Sequence, residues 1–170
     1  MRQRFATLAC SVGLCAAVQA WGEIYQAPEA FVAEIFGAGL PPKVLWLTKE
    51  MQAAAGAILG HPPVNLRQRY WSNGSKSVWI LEEIGKEELI TAGFVVVDGR
   101  IEHVRVLAYR ESRGEEVRYP SFLRQFEGAA LARDNRLDRR IDGIAGATLS
   151  VGAMERMARL ALYFDRKSRE

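Results

Sequence analysis

The sequence predicts an α+β fold: a single domain made of a twisted antiparallel sheet with flanking helices. Three observations predict it. Leu89–Val97 and Arg100–Tyr109 are two apolar, strand-like runs joined by Asp98-Gly99, a strong two-residue hairpin signal. Val151, Met154, Met157, Ala158, Ala161 and Phe164 recur at helical spacing near the C-terminus. A chain of 170 residues, 49% hydrophobic and 25% charged, is long enough for one domain with a real core, and no repeat, linker or low-complexity tract divides it.

Residues 1–20 read as a signal peptide and residues 21–170 as the folded domain. Met1-Arg2-Gln3-Arg4 is a basic start, Phe5–Ala20 is an uncharged and mostly apolar run, and Val18-Gln19-Ala20 offers the small residues that a signal peptidase needs. The run falls short of the ~20 residues of a comfortable spanning helix. A periplasmic or other extracytoplasmic location is therefore expected, with a retained N-terminal anchor as the alternative. Cys10 and Cys15 both lie in this segment, so the processed chain would have no thiol. That excludes disulfides, thiolate metal sites, iron–sulfur clusters and c-type haem. The net charge is +3, and Arg2 and Arg4 supply two of the positive charges. No clustered basic face remains, so nucleic acid is not an expected partner.

Ahead of the Asp98-Gly99 hairpin, Ala27–Phe36 reads as a short helix with Pro28 in its first turn, and Gly37–Pro42 as a breaker. Leu47–Leu59 reads as a second helix, with Thr48 its N-cap and Gly60 its stop. His61-Pro62-Pro63 forces an extended turn. Arg69–Trp71 and Val78–Leu81 flank a Ser72-Asn73-Gly74 turn. Strand alternation in the last strand places Val104, Val106 and Ala108 on one face and His103, Arg105, Leu107 and Tyr109 on the other. Ser121–Phe126 reads as a short helix ended by Gly128, and residues 129–141 as a polar surface loop. In the C-terminal helix, Glu155–Arg159 and Asp165–Arg169 read as i,i+4 pairs on the exposed side. Trp71, Trp79 and Phe94 read as core aromatics, and His61 and His103 as a loop and a strand residue rather than metal ligands.

Asp142-Gly143-Ile144-Ala145-Gly146-Ala147-Thr148 carries the chemistry. It places the Thr148 hydroxyl among residues with almost no side chain, at the mouth of the C-terminal helix. Free N–H groups and the helix dipole there favour an anion such as a phosphate. Gly146 and Ala147 let a bulky group approach the backbone. Thr148 therefore reads as the carrier of a phosphate-linked cofactor, against the alternative of a helix-capping threonine.

Asp142 to Ser150 resembles the flavinylation motif of the FMN-binding domain family, which includes the covalent-FMN subunits of sodium-pumping NADH:quinone reductase and related ion-pumping redox complexes. Tyr109-Arg110-Glu111-Ser112-Arg113-Gly114 is similar to the family's His-x-Glu-Thr-Pro-Gly loop. Ser121–Gly128 resembles its Phe-Leu-x-Gln-Phe-x-Gly helix. The chain departs from the family pattern at Ala145, where Ser or Thr is usual, and at Ser112-Arg113. The resemblance implies FMN bound covalently through its phosphate to Thr148 by a flavin transferase that uses FAD and Mg²⁺. It further implies that Ser150 and the amides around Leu149 hold the phosphate, that Tyr109, Glu111 and Ser112 lie near the ring, and that Asp142, Gly146 and Ala147 belong to the acceptor motif. Asp142 either recruits the metal or caps the turn, and Glu111 is either a ring contact or a solvated charge.

No catalytic residue and no resident metal site is expected. The function implied is an exported electron-transfer flavoprotein with a membrane redox partner, an electron carrier rather than a stand-alone enzyme. An exported binding module of the same fold without flavin is the alternative. A flavin-dependent reductase acting on a small molecule ranks below both.

Overall fold

The structure is a computed structural model and describes residues 23–170, so the export signal read at residues 1–20 lies outside it. Six strands form one sheet: β1 (Glu23–Ile24), β2 (Lys43–Trp46), β3 (Arg67–Ser72), β4 (Lys76–Ile84), β5 (Leu89–Val97) and β6 (Arg100–Tyr109). Their order is β1-β6-β5-β4-β3-β2, antiparallel throughout. The helices are α1 (Pro28–Phe36), α2 (Lys49–Leu59), α3 (Pro120–Leu123) and α4 (Thr148–Ser168), with 3-10 turns at Glu115–Arg118 and Arg124–Phe126. This is the α+β architecture the sequence predicts.

Local chemistry explains the element ends. Thr48 Oγ1 accepts the Met51 N–H at 3.2 Å, which caps α2, and Gly60 closes it in the left-handed region at φ 85°. Asp98 and Gly99 have φ of 50° and 71°, which suits the primed turn that matches strand twist. In the β3–β4 turn, Asn73 Oδ1 accepts the Lys76 N–H at 3.0 Å.

Helices cover both faces of the sheet. On one, α1 packs Phe31 and Val32 against Trp71, Val78, Val95 and Leu107. On the other, α4 and α2 build the main core with Trp79, Phe94, Val104 and Val106. Trp71, Trp79 and Phe94 are therefore core residues. Buried polar groups pin the end of α4 to β4. Ser77 Oγ donates to Asp165 at 2.6 Å, Trp79 Nε1 donates to Ser77 Oγ, and Arg169 donates to Asp165. Asp165 is thus buried, which corrects its placement on the exposed side. Arg159 forms no pair with Glu155; its Nε donates to the Asn135 carbonyl at 2.7 Å. The loop 129–141 is not simply a surface excursion, because Ala129, Leu137 and Ile141 are buried and Asp138 accepts the Ala130 N–H.

Strict alternation fails in β6. Val95 faces His103 while Val96 faces Ile101, and Thr91 faces Ala108 while Ala92 faces Val106. Glu102 and Leu107 are therefore extra residues, each a bulge that reverses the parity of the residues beyond it. Tyr109, assigned by alternation to the face of Leu107, joins Ile101, Val104 and Val106 in the core under α4. Among the described residues, no helix is long and apolar enough to cross a membrane.

Candidate functional site

A pocket of about 610 Å³ opens at the N-terminus of α4, where three segments meet. The helix start contributes Gly146, Ala147, Thr148, Leu149 and Ser150; the loop after β6 contributes Glu111, Ser112 and Arg113; the β4–β5 connection contributes Lys86. The volume lies within the roughly 300–1,000 Å³ usual for ligand pockets.

Thr148 is the first residue of α4 and is exposed, so its hydroxyl is accessible from the pocket. Gly146 makes the turn into the helix at φ 82°, a conformation that costs glycine little. Ala147 occupies the N-cap position and supplies no side-chain cap. The first intrahelical bond runs from the Val151 N–H to the Ala147 carbonyl, which leaves the amides of Thr148, Leu149 and Ser150 as free ends of the helix.

Behind this wall, the Tyr109 hydroxyl donates to the Arg113 carbonyl and lies 3.0 Å from Ser150 Oγ, which must then donate to it. Burial pushes the Tyr109 phenol above its ordinary value, so it stays a neutral donor. The loop can close this tightly because residue 114 is glycine. It adopts φ 87°, and a Cβ there would come within 2.9 Å of Tyr109 Oη and 3.0 Å of Ala147 Cβ.

Glu111 lines the pocket and is half-buried, with one carboxylate oxygen engaged by backbone donors. Its Oε1 accepts the backbone N–H groups of Lys86, Glu87 at 2.8 Å and Glu88 at 3.0 Å. Burial opposes its charge, yet these N–H groups and the nearby Lys86 ammonium outweigh that and hold the carboxyl below its ordinary value.

Of the residues singled out in the sequence, Gly146, Ala147, Thr148, Leu149, Ser150, Glu111 and Ser112 line one pocket. Tyr109 stands behind it against Ser150. Asp142 is not in the lining; it is exposed, and its N–H donates to Gln125 Oε1 at 2.7 Å. Gln125 thereby anchors the segment before α4 to the short helical stretch that contains Gln125 itself. Lys86, Arg113, Gln125 and Gly114 were missed as site residues. Lys86 gave no sequence signal, because a lysine in a charged four-residue connection reads as solvated. Trp71, Trp79, Phe94 and both histidines lie outside the lining.

The family model for the FMN-binding domain matches residues 85–163. This segment is therefore similar to the FMN-binding domain family. The matched segment begins at the glycine packed against Glu111, takes in β5, β6 and the 110–114 loop, and ends within α4. No curated protein and no solved structure matches the chain.

The donor set suits FMN. The free amides at the start of α4 with the cations Lys86 and Arg113 match a phosphate, and the lining carboxylate, Glu111, already commits one oxygen to N–H donors. Leu149, 54% exposed, offers apolar surface beside them.

Proposed function

We propose that the protein is an exported electron carrier whose FMN is joined by a phosphoester to Thr148. The observation that carries this is the placement of the Thr148 hydroxyl: exposed, at the uncapped start of α4, and sharing its pocket with Lys86 and Arg113. A phosphate held there would meet N–H donors, a favourable helix dipole and two cations at once.

A threonine hydroxyl is a weak nucleophile until a base or a metal-polarised acceptor activates it. Among the described residues the pocket lining contains no histidine, and Glu111, held below its ordinary pKa by backbone N–H groups on one oxygen, is a weak base, so an external flavin transferase with FAD and Mg²⁺ fits better than self-attachment. In that transfer Thr148 Oγ1 loses its proton and bonds to the flavin-side phosphorus, the pyrophosphate bridge of FAD breaks, and AMP leaves.

When bound, FMN supplies one- and two-electron redox chemistry. The chain's own residues orient and retain it: Ser150 is fixed by Tyr109, and the 110–114 loop closes on the helix start through Gly114. Retention matters for a protein that leaves the compartment where flavins are made, which agrees with the export signal read at residues 1–20. Electrons would come from a membrane redox partner and pass to an extracytoplasmic acceptor.

The test is intact mass of the chain co-expressed with a flavin transferase in an exporting host, for wild type and Thr148→Ala. A gain of one FMN that survives denaturation in wild type and is absent from the variant is expected. No gain in wild type, with a control protein modified by the same transferase, leaves the flavin-free binding module.

A further inference from the structure

Glu111 has the position of a cofactor contact but the bonding of a structural clamp. One oxygen of its carboxylate receives three backbone N–H groups, from Lys86, Glu87 and Glu88. A carboxylate oxygen has two lone pairs, so three donors saturate it. Successive N–H groups converging on one anion are a nest, here filled by the protein's own side chain. The fit is close: a Cβ at Gly85 would lie 2.7 Å from the same oxygen. The bonds join the 85–88 connection to the loop after β6, and Lys86 lines the pocket between them. Among the described residues Lys86 pairs with Glu87 at 2.9 Å, and both side chains are 69% exposed. Such a pair fixes little, so the placement of Lys86 depends on its backbone.

We propose that Glu111 is a positioning residue: it locks the 85–88 connection so that Lys86 stands in the pocket wall, and Lys86 rather than Glu111 sets the charge met by the bound flavin. The proposal rests on the reading that this pocket holds FMN. It separates from direct contact by sign. A cation in the wall favours the electron-rich form and raises the reduction potential, and an anion lowers it. Deleting a carboxylate that acts directly on the ring must raise the potential. Deleting a clamp that holds a lysine in place lowers it wherever the displaced lysine charge outweighs the lost carboxylate, as the proposal requires.

Two measurements decide it. The first is amide hydrogen exchange of Lys86, Glu87 and Glu88 in the flavin-free protein. Slow exchange in wild type, lost in Glu111→Ala with the remaining sheet amides still protected, is expected; fast exchange in wild type overturns the clamp. The second is the reduction potential of the flavin-loaded chain. Lys86→Gln should lower it, Glu111→Ala should lower it in the same sense, and the double variant should fall no further than Lys86→Gln alone. Glu111→Gln, which keeps a neutral acceptor, should lie between wild type and Glu111→Ala. A rise in Glu111→Ala, or no change in Lys86→Gln, overturns the proposal. Lys86→Gln alters only an exposed side chain, so this arm survives even if Glu111→Ala fails to fold. Should wild type take no flavin, the flavin reading and the role of Lys86 fall together, while exchange still decides the clamp.

Discussion

Under α1, the sheet presents Trp71, Val78, Val95 and Leu107, and Phe31 presses on Gly93 so closely that a Cβ there would lie 2.4 Å from the ring. Under α4 it presents Trp79, Phe94, Val104, Val106 and Tyr109, and the last of these ends in a hydroxyl shared with Ser150 and the Arg113 carbonyl. The first face is an apolar patch, edged on its exposed side by the ion pair of Arg105 with Glu34. The second runs from apolar contact into a hydrogen-bonded rim, and the pocket sits on that rim. Stability and ligand chemistry are therefore separable: a lesion under α1 should loosen the fold and leave the pocket competent, whereas a small lesion at the α4 rim should damage the pocket first.

Phe31→Ala is the severest test of that separation. The ring is fully buried, and its loss should cost about 3–5 kcal/mol in urea unfolding. FMN attachment in the fraction that stays folded should match wild type; loss of attachment there would mean that the two faces are coupled. Gly114→Ala comes next. It forces a Cβ into the left-handed region and against Tyr109 and Ala147, for about 1–3 kcal/mol, and should cut FMN attachment more sharply than Phe31→Ala does. Normal attachment would show that this close approach serves packing only.

The smallest effect lies at another edge of the α4 face, where His61 Nδ1 faces the Pro62 carbonyl at 3.0 Å and its Nε2 faces buried Glu83 at 3.1 Å, with Arg156 on the same carboxylate. The Pro62 carbonyl first, and then Glu83, raise the His61 pKa above its ordinary 6.5. A raised folded pKa means stability fully present below about pH 6.5 and lost as pH rises through the folded value. His61→Gln should therefore cost more at pH ~5.5 than at pH ~8.5, and less than about 1 kcal/mol because the ring is half exposed. Equal loss at both pH values would remove the charged pair from the account, and FMN attachment should not change.

Much of the fold was legible in the chain because the signals are local. Thr48 and Gly60 mark α2, and Asp98-Gly99 marks the β5–β6 turn, since capping and positive φ depend on a few neighbouring residues. The motif ending at Thr148 located the mouth of α4 for the same reason. Tyr109 was misplaced because a bulge is set by pairing with another strand, and one extra residue, Leu107, reverses the face of every residue beyond it in the strand. Asp165 was misplaced because i,i+4 spacing identifies a neighbour on the helix but not the strand residue, Ser77, that buries it.

The sequence by itself determined the α+β class, the principal helices and hairpins, and the small-residue loop that presents Thr148. Each arises from interactions between residues close in the chain. Tertiary structure alone decided that Lys86 and Arg113 share a pocket with Thr148, that Gln125 anchors Asp142, and that Glu111 spends its charge on the 85–88 connection. Those contacts join residues 17 to 62 positions apart. The antiparallel order of the sheet brings them together, with the bulge at Leu107 that puts Tyr109 on the α4 side.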